Sequence, residues 1–541
     1  MRLHVLLLAA VLDLAPLAVT ADEAAPPAPA PDPVIPILAE ETATAGIDHT
    51  YSGDWLYMVG GGAAAFDCDA NGLPDLFLAG GEGPAALFRN VGTVGGPLRF
   101  ARSDSGLEHG AVTGAYPLDV DSDGITDLIL LRVGENLAMR GIGDCRFEVA
   151  NAAWGFDGGD GWSAALAATW EKGQSWPTIA VGNYIDRTQE AFPWGSCTDN
   201  WLHRPLPSGA GLAPPLPLTP GYCALSMLFT DWNGSGTPSL RISNDREYYR
   251  GGQEQLWHLP PGQPPRAYAE ADGWAPLRIW GMGIAAQDLT GDGLPDYFLT
   301  SMADSKLQAL APDAGGRPVY ADIAWARGVT AHRPYMGDDL RPSTGWHAEF
   351  QDMNNDARPD LFVAKGNVAE MPDFAARDPN NLLLQRADGT FMESGGASGA
   401  GSGAISRGAA LADFNLDGLV DLAVVNRWEP VQVWRNTGPA GNAIQVRPRQ
   451  PGPNPDAIGG RLEVDAGGIL HRRDITVGGG HAGGQLGWLH AGLGPATTAR
   501  IRMIWPDGTT GPWQTVGPGF HILPRGEDTQ AWTPGTPLAL P

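Results

Sequence analysis

A nine-residue pattern recurs along this chain, and its recurrence limits the folds open to it. The fullest copy runs from Asp119 to Asp127, with carboxylates at positions 1, 3, 5 and 9 (Asp119, Asp121, Asp123, Asp127) and Gly124 at position 6. A hard divalent cation such as Ca²⁺ takes six to eight oxygens, and a tight loop of alternating Asp supplies most of them. Side chains at positions 1, 3, 5 and 9 and the position-7 carbonyl, here that of Ile125, are the expected donors. Gly124 provides the left-handed turn that lets the loop close. An EF-hand loop ends in Glu at position 12, whereas this one ends in Asp at position 9 and runs into the apolar stretch Leu128 to Leu131. That is the pattern of a buried strand, so the loop joins two β-strands.

Four further copies give the same donor set. They are Asp67, Asp69, Asn71, Leu73 and Asp75; Asp288, Thr290, Asp292, Leu294 and Asp296; Asp352, Asn354, Asp356, Arg358 and Asp360; and Asp413, Asn415, Asp417, Leu419 and Asp421. The position-7 residues (Leu73, Leu294, Arg358, Leu419) contribute only their carbonyls. A sixth copy, with Asp231, Asn233, Ser235 and Ser239, has lost two acids, and Ser cannot replace carboxylate charge. About five bound Ca²⁺ are expected, in loops that hold 16 of the chain's 61 acidic residues.

Spacing counts the units. Successive first positions are 52, 112, 57, 64 and 61 residues apart, and the 112 spans two periods. A seventh unit therefore lies near residue 175, where Trp170 to Val181 keeps a Pro and an apolar strand but not the acids. Most loops are preceded by a short aromatic strand ending in Gly, such as Phe100 to Gly106, and Ile37 to Gly46 plays that part for the first. Units of this length built from short strands are β-propeller blades, none able to bury its faces alone. An all-β, seven-bladed β-propeller over residues 37–438 is the expectation.

The period stops near residue 438. Residues 442–524 show alternating strands with Gly turns, including Gly478 to His481, Leu489 to Gly494 and Trp505 to Gly508, and read as a small β-sandwich. His471, His481 and His490 could meet on one face there, although structural histidines are the plainer reading. Residues 525–541 are expected to be a disordered tail.

At the other end, Arg2, the apolar run Val5 to Leu17 and the small residues up to Ala21 form a signal peptide, residues 1–21. An Ala/Pro-rich spacer follows at residues 22–36. A secreted or periplasmic protein with no integral membrane segment after cleavage is expected. Four cysteines allow three pairings. Cys197 and Cys223 flank a Pro-rich segment expected to be an insertion with little core of its own, and a disulfide there would close it. Cys68 and Cys145 would then pair or stay free. The net charge of −26 repels phosphate backbones and argues against nucleic acid as a partner.

Signals for catalysis are sparse. The eleven His lack paired metal spacing, and no nucleophile elbow or phosphate loop occurs. His347 in Gly345 to Glu349, and Asp157 and Asp160 before Trp162, could line a channel mouth, with inner-strand packing the simpler role. The Trp residues read as packing between blades. Two functional classes remain: a scaffold binding protein or glycan, with no chemistry of its own, or a propeller enzyme such as a polysaccharide lyase or quinone-type oxidoreductase.

The Asp-rich loops resemble the FG-GAP/VCBS repeats of integrin α-chains. The C-terminal motifs resemble the ASPIC/UnbV domain, with Ala491 where that motif usually has Phe. In layout the chain is similar to the cartilage acidic protein-like family over about residues 36–524. The resemblance implies a calcium-binding propeller in an extracytoplasmic, adhesion-like role.

Overall fold

The computed structural model describes residues 31–189, 196–246, 252–369 and 371–538. The signal peptide and most of the spacer lie outside the described residues. Residues 38–436 form seven four-stranded antiparallel sheets. Six of them use consecutive strands. Their innermost strands are Ala63–Phe66, Val112–Leu118, Ser163–Thr169, Ala224–Thr230, Gly281–Gln287 and Gly345–Gln351; that of the seventh is Ser406–Ala412. Each inner strand packs beside the next, and the seventh packs against the first, closing a ring. The inner strands are almost wholly buried and rich in Ala and Gly, because they crowd round a common axis.

The ring is closed by exchange. Leu38–Glu40 pairs antiparallel with Gln432–Asn436 and becomes the outermost strand of the seventh sheet. Each repeat therefore straddles two sheets: the aromatic strand and its Gly finish one sheet, and the loop opens the next. Such pairing leaves no free junction between the first and last sheets.

Aromatic residues pack between neighbouring sheets, as the sequence indicates. Arg241 is fully buried among Trp274, Tyr297 and Tyr320, with its guanidinium 4.2 Å from the Tyr297 ring centre. Cys197–Cys223 and Cys68–Cys145 are both disulfides, with Cα separations of 5.0 and 4.8 Å. The segment between Cys197 and Cys223 is not a coreless insertion. It supplies the two outer strands of the third sheet, Asn200–His203 and Leu216–Leu218, and buries Leu202 and Leu218 completely.

Two more four-stranded sheets form the C-terminal domain. One is ordered Leu489–Gly494, Asn442–Arg449, Gly519–Pro524, Gln530–Trp532; the other is Ile469–Asp474, Arg461–Ala466, Ala499–Ile504, Gln514–Val516. Ile444, Val446, Leu462, Val464, Ile501 and Met503 fill the sandwich between them. The core is continuous with Leu118, Leu166, Trp170 and Ile179 of the second and third propeller sheets. The tail expected to be disordered instead contributes the strand Gln530–Trp532. Burial of Trp532 against Trp488 and Phe520 holds it down.

The Gly-rich stretch between Ile469–Asp474 and Leu489–Gly494 is not a sandwich turn. Residues 477–485 enter the propeller channel from the loop end. Their backbone bridges to inner strands at Ala168 (Val477), Ile284 (Gly480), Ala115 (Gly483) and Ala65 (Gln485). Gly479 N–H also donates to Met227 O, at 2.6 Å, and His481 N–H to His347 Nδ1, at 3.1 Å. At the opposite end the channel is filled by Met58 and Val59 packed with Trp162, Leu225, Met282 and Trp346. Arg407 pins that closure, donating to the carbonyls of Met58, Asn367 and Val368 at 2.7–2.9 Å.

Candidate metal centre

Each loop joins an inner strand to the second strand of its sheet, so all of them lie at one end of the channel. Their shared geometry follows from where each carboxylate spends its hydrogen bonds. Position 1 folds the loop: Asp119 Oδ1 accepts Asp123 N–H at 3.1 Å and Oδ2 accepts Gly124 N–H at 2.9 Å. Asp67, Asp352 and Asp413 make the equivalent pair of bonds, and Asp288 takes Gly291 and Gly293. Position 5 accepts from position 7: Asn71 from Leu73, Asp123 from Ile125, Asp292 from Leu294, Asp356 from Arg358, Asp417 from Leu419. Position 9 ties the loop to the sheet. Asp127 Oδ2 takes Val120 N–H at 2.7 Å, and its Oδ1 takes Gly141 N–H from the third strand at 2.8 Å. Asp75, Asp360 and Asp421 repeat that bridge.

Two residues of each full loop are left-handed. Position 6 is Gly at φ +88 to +92 in four loops and Ala357 at +69 in the sixth sheet. Position 4 is also left-handed, at Ala70, Ser122, Gly291, Asn355 and Leu416, and no common residue type betrays it in the sequence.

The predicted donors converge most closely in the first two loops. Asp67, Asp69 and Asp75 each offer an oxygen within 4.8 Å of the others, as do Asp119, Asp121 and Asp127. Asp69 Oδ1 and Asp121 Oδ1 are buried without a hydrogen-bond partner. An orphaned carboxylate oxygen beside two more acids suits a cation, and the all-oxygen donor set suits a hard one. Asp123 is not part of that trio, and Arg140 bridges it, at 2.9 Å, to Asp121, at 3.1 Å. In the fifth to seventh sheets Asn354 and Asn415 turn their side-chain oxygens towards the N–H of Asp356 and Asp417, while Thr290 bonds Asp296 through its own N–H. The Arg358 side chain lies on Asp356, at 3.4 Å.

Electrostatics mark the loops as charge-starved. Burial pushes Asp119 up to about 7, Asp127 to about 8 and Asp296 to about 6. Burial and a second acid in the same loop push Asp352 and Asp413 to about 8. Crowded carboxylates in a low dielectric are stabilised by protons or by a cation. The loop of the fourth sheet keeps its frame without that tension: Asp231 accepts Ser235 and Gly236 N–H, and Ser239 is a buried hydroxyl in place of the ninth acid. Cys68, at position 2 of the first loop, is bonded to Cys145 of the second sheet and is no ligand.

The histidines singled out in the sequence take separate structural posts. His471 is in a sandwich strand, His490 pairs with Asn355 Oδ1 at 2.8 Å, and His481 lies in the channel 5.1 Å from the Trp346 ring. Burial lowers all three, to about 4, 3 and 3. His347 does line the channel, beside a cavity of about 200 Å³ between the propeller and the C-terminal domain. Its Nε2 is 3.3 Å from Glu349 Oε2, which also accepts Gln485 Nε2 at 2.6 Å, so both groups are tied to the inserted segment. Trp162 is buried at the far end of the channel, whereas Asp157 and Asp160 are exposed.

The C-terminal domain sits on these loops. Arg447 Nη1 is 3.2 Å from Asp67 Oδ2 and Arg472 Nη1 is 2.6 Å from Asp288 Oδ2. Gln445 Nε2 donates to Asp413 Oδ2 at 3.0 Å, and Asn454 N–H to Ser122 Oγ at 3.2 Å. Periodicity along one chain segment carries no sign of such long-range pairings.

The family model for FG-GAP-like repeats matches residues 67–130 and 352–424, and the model for ASPIC and UnbV matches residues 450–522. Comparison with curated proteins gives no match. Among solved structures the chain is similar to BBS1N in complex with ARL6DN, at 9% identity over 74% of this chain and 97% of that one, with a TM-score of 0.42. It is similar to the BP39L lectin from Burkholderia pseudomallei at 12% identity, 71% and 98% coverage and a TM-score of 0.41. An Agrocybe aegerita lectin that recognises non-reducing terminal N-acetylglucosamine follows at 15%, 69% and 93%, and 0.37. The chain thus carries FG-GAP-like repeats followed by an ASPIC and UnbV domain.

Proposed function

We propose that this protein is an exported, calcium-stabilised propeller scaffold that binds a protein or glycan and performs no chemistry of its own. One observation carries the reading: in all five full loops the acids of positions 1 and 9 spend their bonds on backbone N–H groups that shape the loop, in one shared pattern in four loops and a shifted one at Asp288 and Asp296. Asp67, Asp69, Asn71 and Asp75 with the Leu73 carbonyl would hold one ion, and the other four sets correspond. Bound Ca²⁺ would supply the positive charge these carboxylates lack. Two disulfides fit an oxidising compartment outside the cytoplasm. The His347–Glu349 pair, the best acid–base candidate in the channel, is engaged by Gln485 and His481 N–H.

The test is metal content after gel filtration in micromolar Ca²⁺, followed by matched single-loop variants. About five ions per chain are expected, with the loop of the fourth sheet empty. Asp69→Ala, Asp123→Ala, Asp292→Ala, Asp356→Ala and Asp417→Ala should each lose about one ion and some thermal stability. A content of zero or one ion overturns the metal reading. One variant that melts normally yet abolishes a measured turnover overturns the scaffold.

A further inference from the structure

We propose that cation occupancy of the loops governs whether the C-terminal domain stays seated, and thereby whether residues 477–485 stay in the channel. This rests on the reading of the loops as cation sites. Every full loop touches the domain. The first meets Arg447 and Trp488, whose Nε1 donates to Gly72 O at 3.0 Å. The second meets Asn454, and the fifth sheet's meets Arg472 and also Arg461, which donates to Gly293 O at 2.9 Å. The sixth sheet's meets His490 through Asn355 and has Asp352 so close to Gly492 that a Cβ there would lie 2.0 Å from Oδ2. The seventh sheet's meets Gln445.

In the first, fifth and seventh sheets the contacts fall on the folding frame of the loops, and in the second and sixth they also reach the side chains of Ser122 and Asn355. Asp67 and Asp288 order their own loops through backbone N–H groups and receive the domain's arginines on the same carboxylates. Arg89 and Arg447 take the Oδ2 atoms of Asp69 and Asp67, while Asp69 Oδ1 remains unpaired. Guanidinium and cation can therefore be accommodated together. Loss of the ion leaves three or four acids in mutual repulsion, and relaxation of the frame displaces the anchors. The inserted segment follows, because it continues directly into the seated strands at either end: Ile469–Asp474 carries Arg472, and Leu489–Gly494 carries His490.

The experiment is hydrogen exchange of the full chain, read by mass spectrometry on peptides spanning 475–488, in Ca²⁺ and in EGTA, with metal content measured on the same samples. Exchange there should quicken about a hundredfold on chelation, the shift set by one site held at 100 times Kd. Arg447→Ala with Arg472→Ala, which leaves every loop acid in place, should quicken it in Ca²⁺ with the ion count unchanged. Metal lost with 475–488 equally protected overturns the coupling while leaving the cation sites standing. No metal in either buffer overturns both. Unchanged protection in the double-arginine variant shows that the arginine contacts on the loop acids do not seat the domain, and also overturns the coupling.

Discussion

Gly483→Ala puts the inserted segment under the sharpest available test. A Cβ at Gly483 would lie 1.9 Å from Ala63 O and 3.0–3.1 Å from the carbonyl carbon and nitrogen of the same residue. All three atoms are backbone of the first inner strand, so no side chain can turn aside. Overpacking a core costs about 1–3 kcal/mol where neighbours can adjust, and a clash with fixed backbone belongs at the upper end. If the segment withdraws to relieve it, three bonds go instead: Ala115 N–H to Ala482 O, Ala65 N–H to Gly484 O and Leu486 N–H to Ala65 O. At about 1 kcal/mol each, withdrawal costs about 3 kcal/mol in place of the clash, so by either route the substitution costs roughly 3 kcal/mol. That is a large part of the stability of an ordinary domain.

The assay is calorimetry of the calcium-loaded protein against Gly403→Ala, a site with nothing within 4 Å of the new Cβ and an ordinary φ. Gly483→Ala should lower the midpoint by roughly 5 °C or split the transition in two, the C-terminal domain leaving first. Equal melting of the two variants would refute the claim that this glycine is required by the insertion.

The pH dependence of the ion-free protein should be inverted. Asp119, at about 7, and Asp127, Asp352 and Asp413, at about 8, have folded values above their ordinary 3.8, so the folded state binds more protons than the unfolded one in between. The stabilisation from protonation is full below 3.8 and is lost as pH rises through 6–8. In EGTA, melts should be higher at acidic than at alkaline pH within that window, and calcium should flatten the difference; the opposite slope contradicts the carboxylate crowding. Cys68→Ser with Cys145→Ser opens a link between residues 77 apart, against 26 for Cys197–Cys223. Loop entropy makes the first loss larger, about 4 against about 3 kcal/mol by denaturant titration, and loosening of the first loop should weaken one ion. Trp532→Ala should cost about 3–5 kcal/mol if the tail is a packed strand, and almost nothing if it is not.

The Asp spacing made the loops and the strands after them legible, because each is set within about a dozen residues, and their recurrence every 52–64 residues counted the seven sheets. What escaped the sequence is long-range. The closing strand Leu38–Glu40 pairs with residues nearly four hundred positions away, and three residues have no periodicity to read. Residues 477–485 look like a flexible turn, since glycine signals turns as readily as close approach. Their meaning lies in partners: Gly62, just before the first inner strand, and Gly114, within the second, would place a Cβ 1.8 and 2.1 Å from Ala482 O. Glycines on both sides of that contact are needed, and neither set is informative alone.

The third sheet dispenses with the loop acids for a reason that lies in its neighbours. At the third loop, Glu171 accepts from the Thr178 hydroxyl at 2.9 Å and from Arg204 at 2.7 Å, so its one acid is paired with a guanidinium. Trp170 and Ile179 beside it join the apolar core that runs into the sandwich through Leu462, Trp505 and their neighbours. Burial of that kind holds the C-terminal domain whatever the ionic conditions. Round the rest of the ring the domain is met by arginines, amides and a histidine on acidic loops, and by Leu73 and Leu416 packed with Phe520 and Trp532. The third loop has lost its acids beside that core, whereas the second keeps all four although Leu118 and Val120 join the same core. The apolar core shared with the second and third sheets is therefore the part of the seat expected to hold when the ions leave.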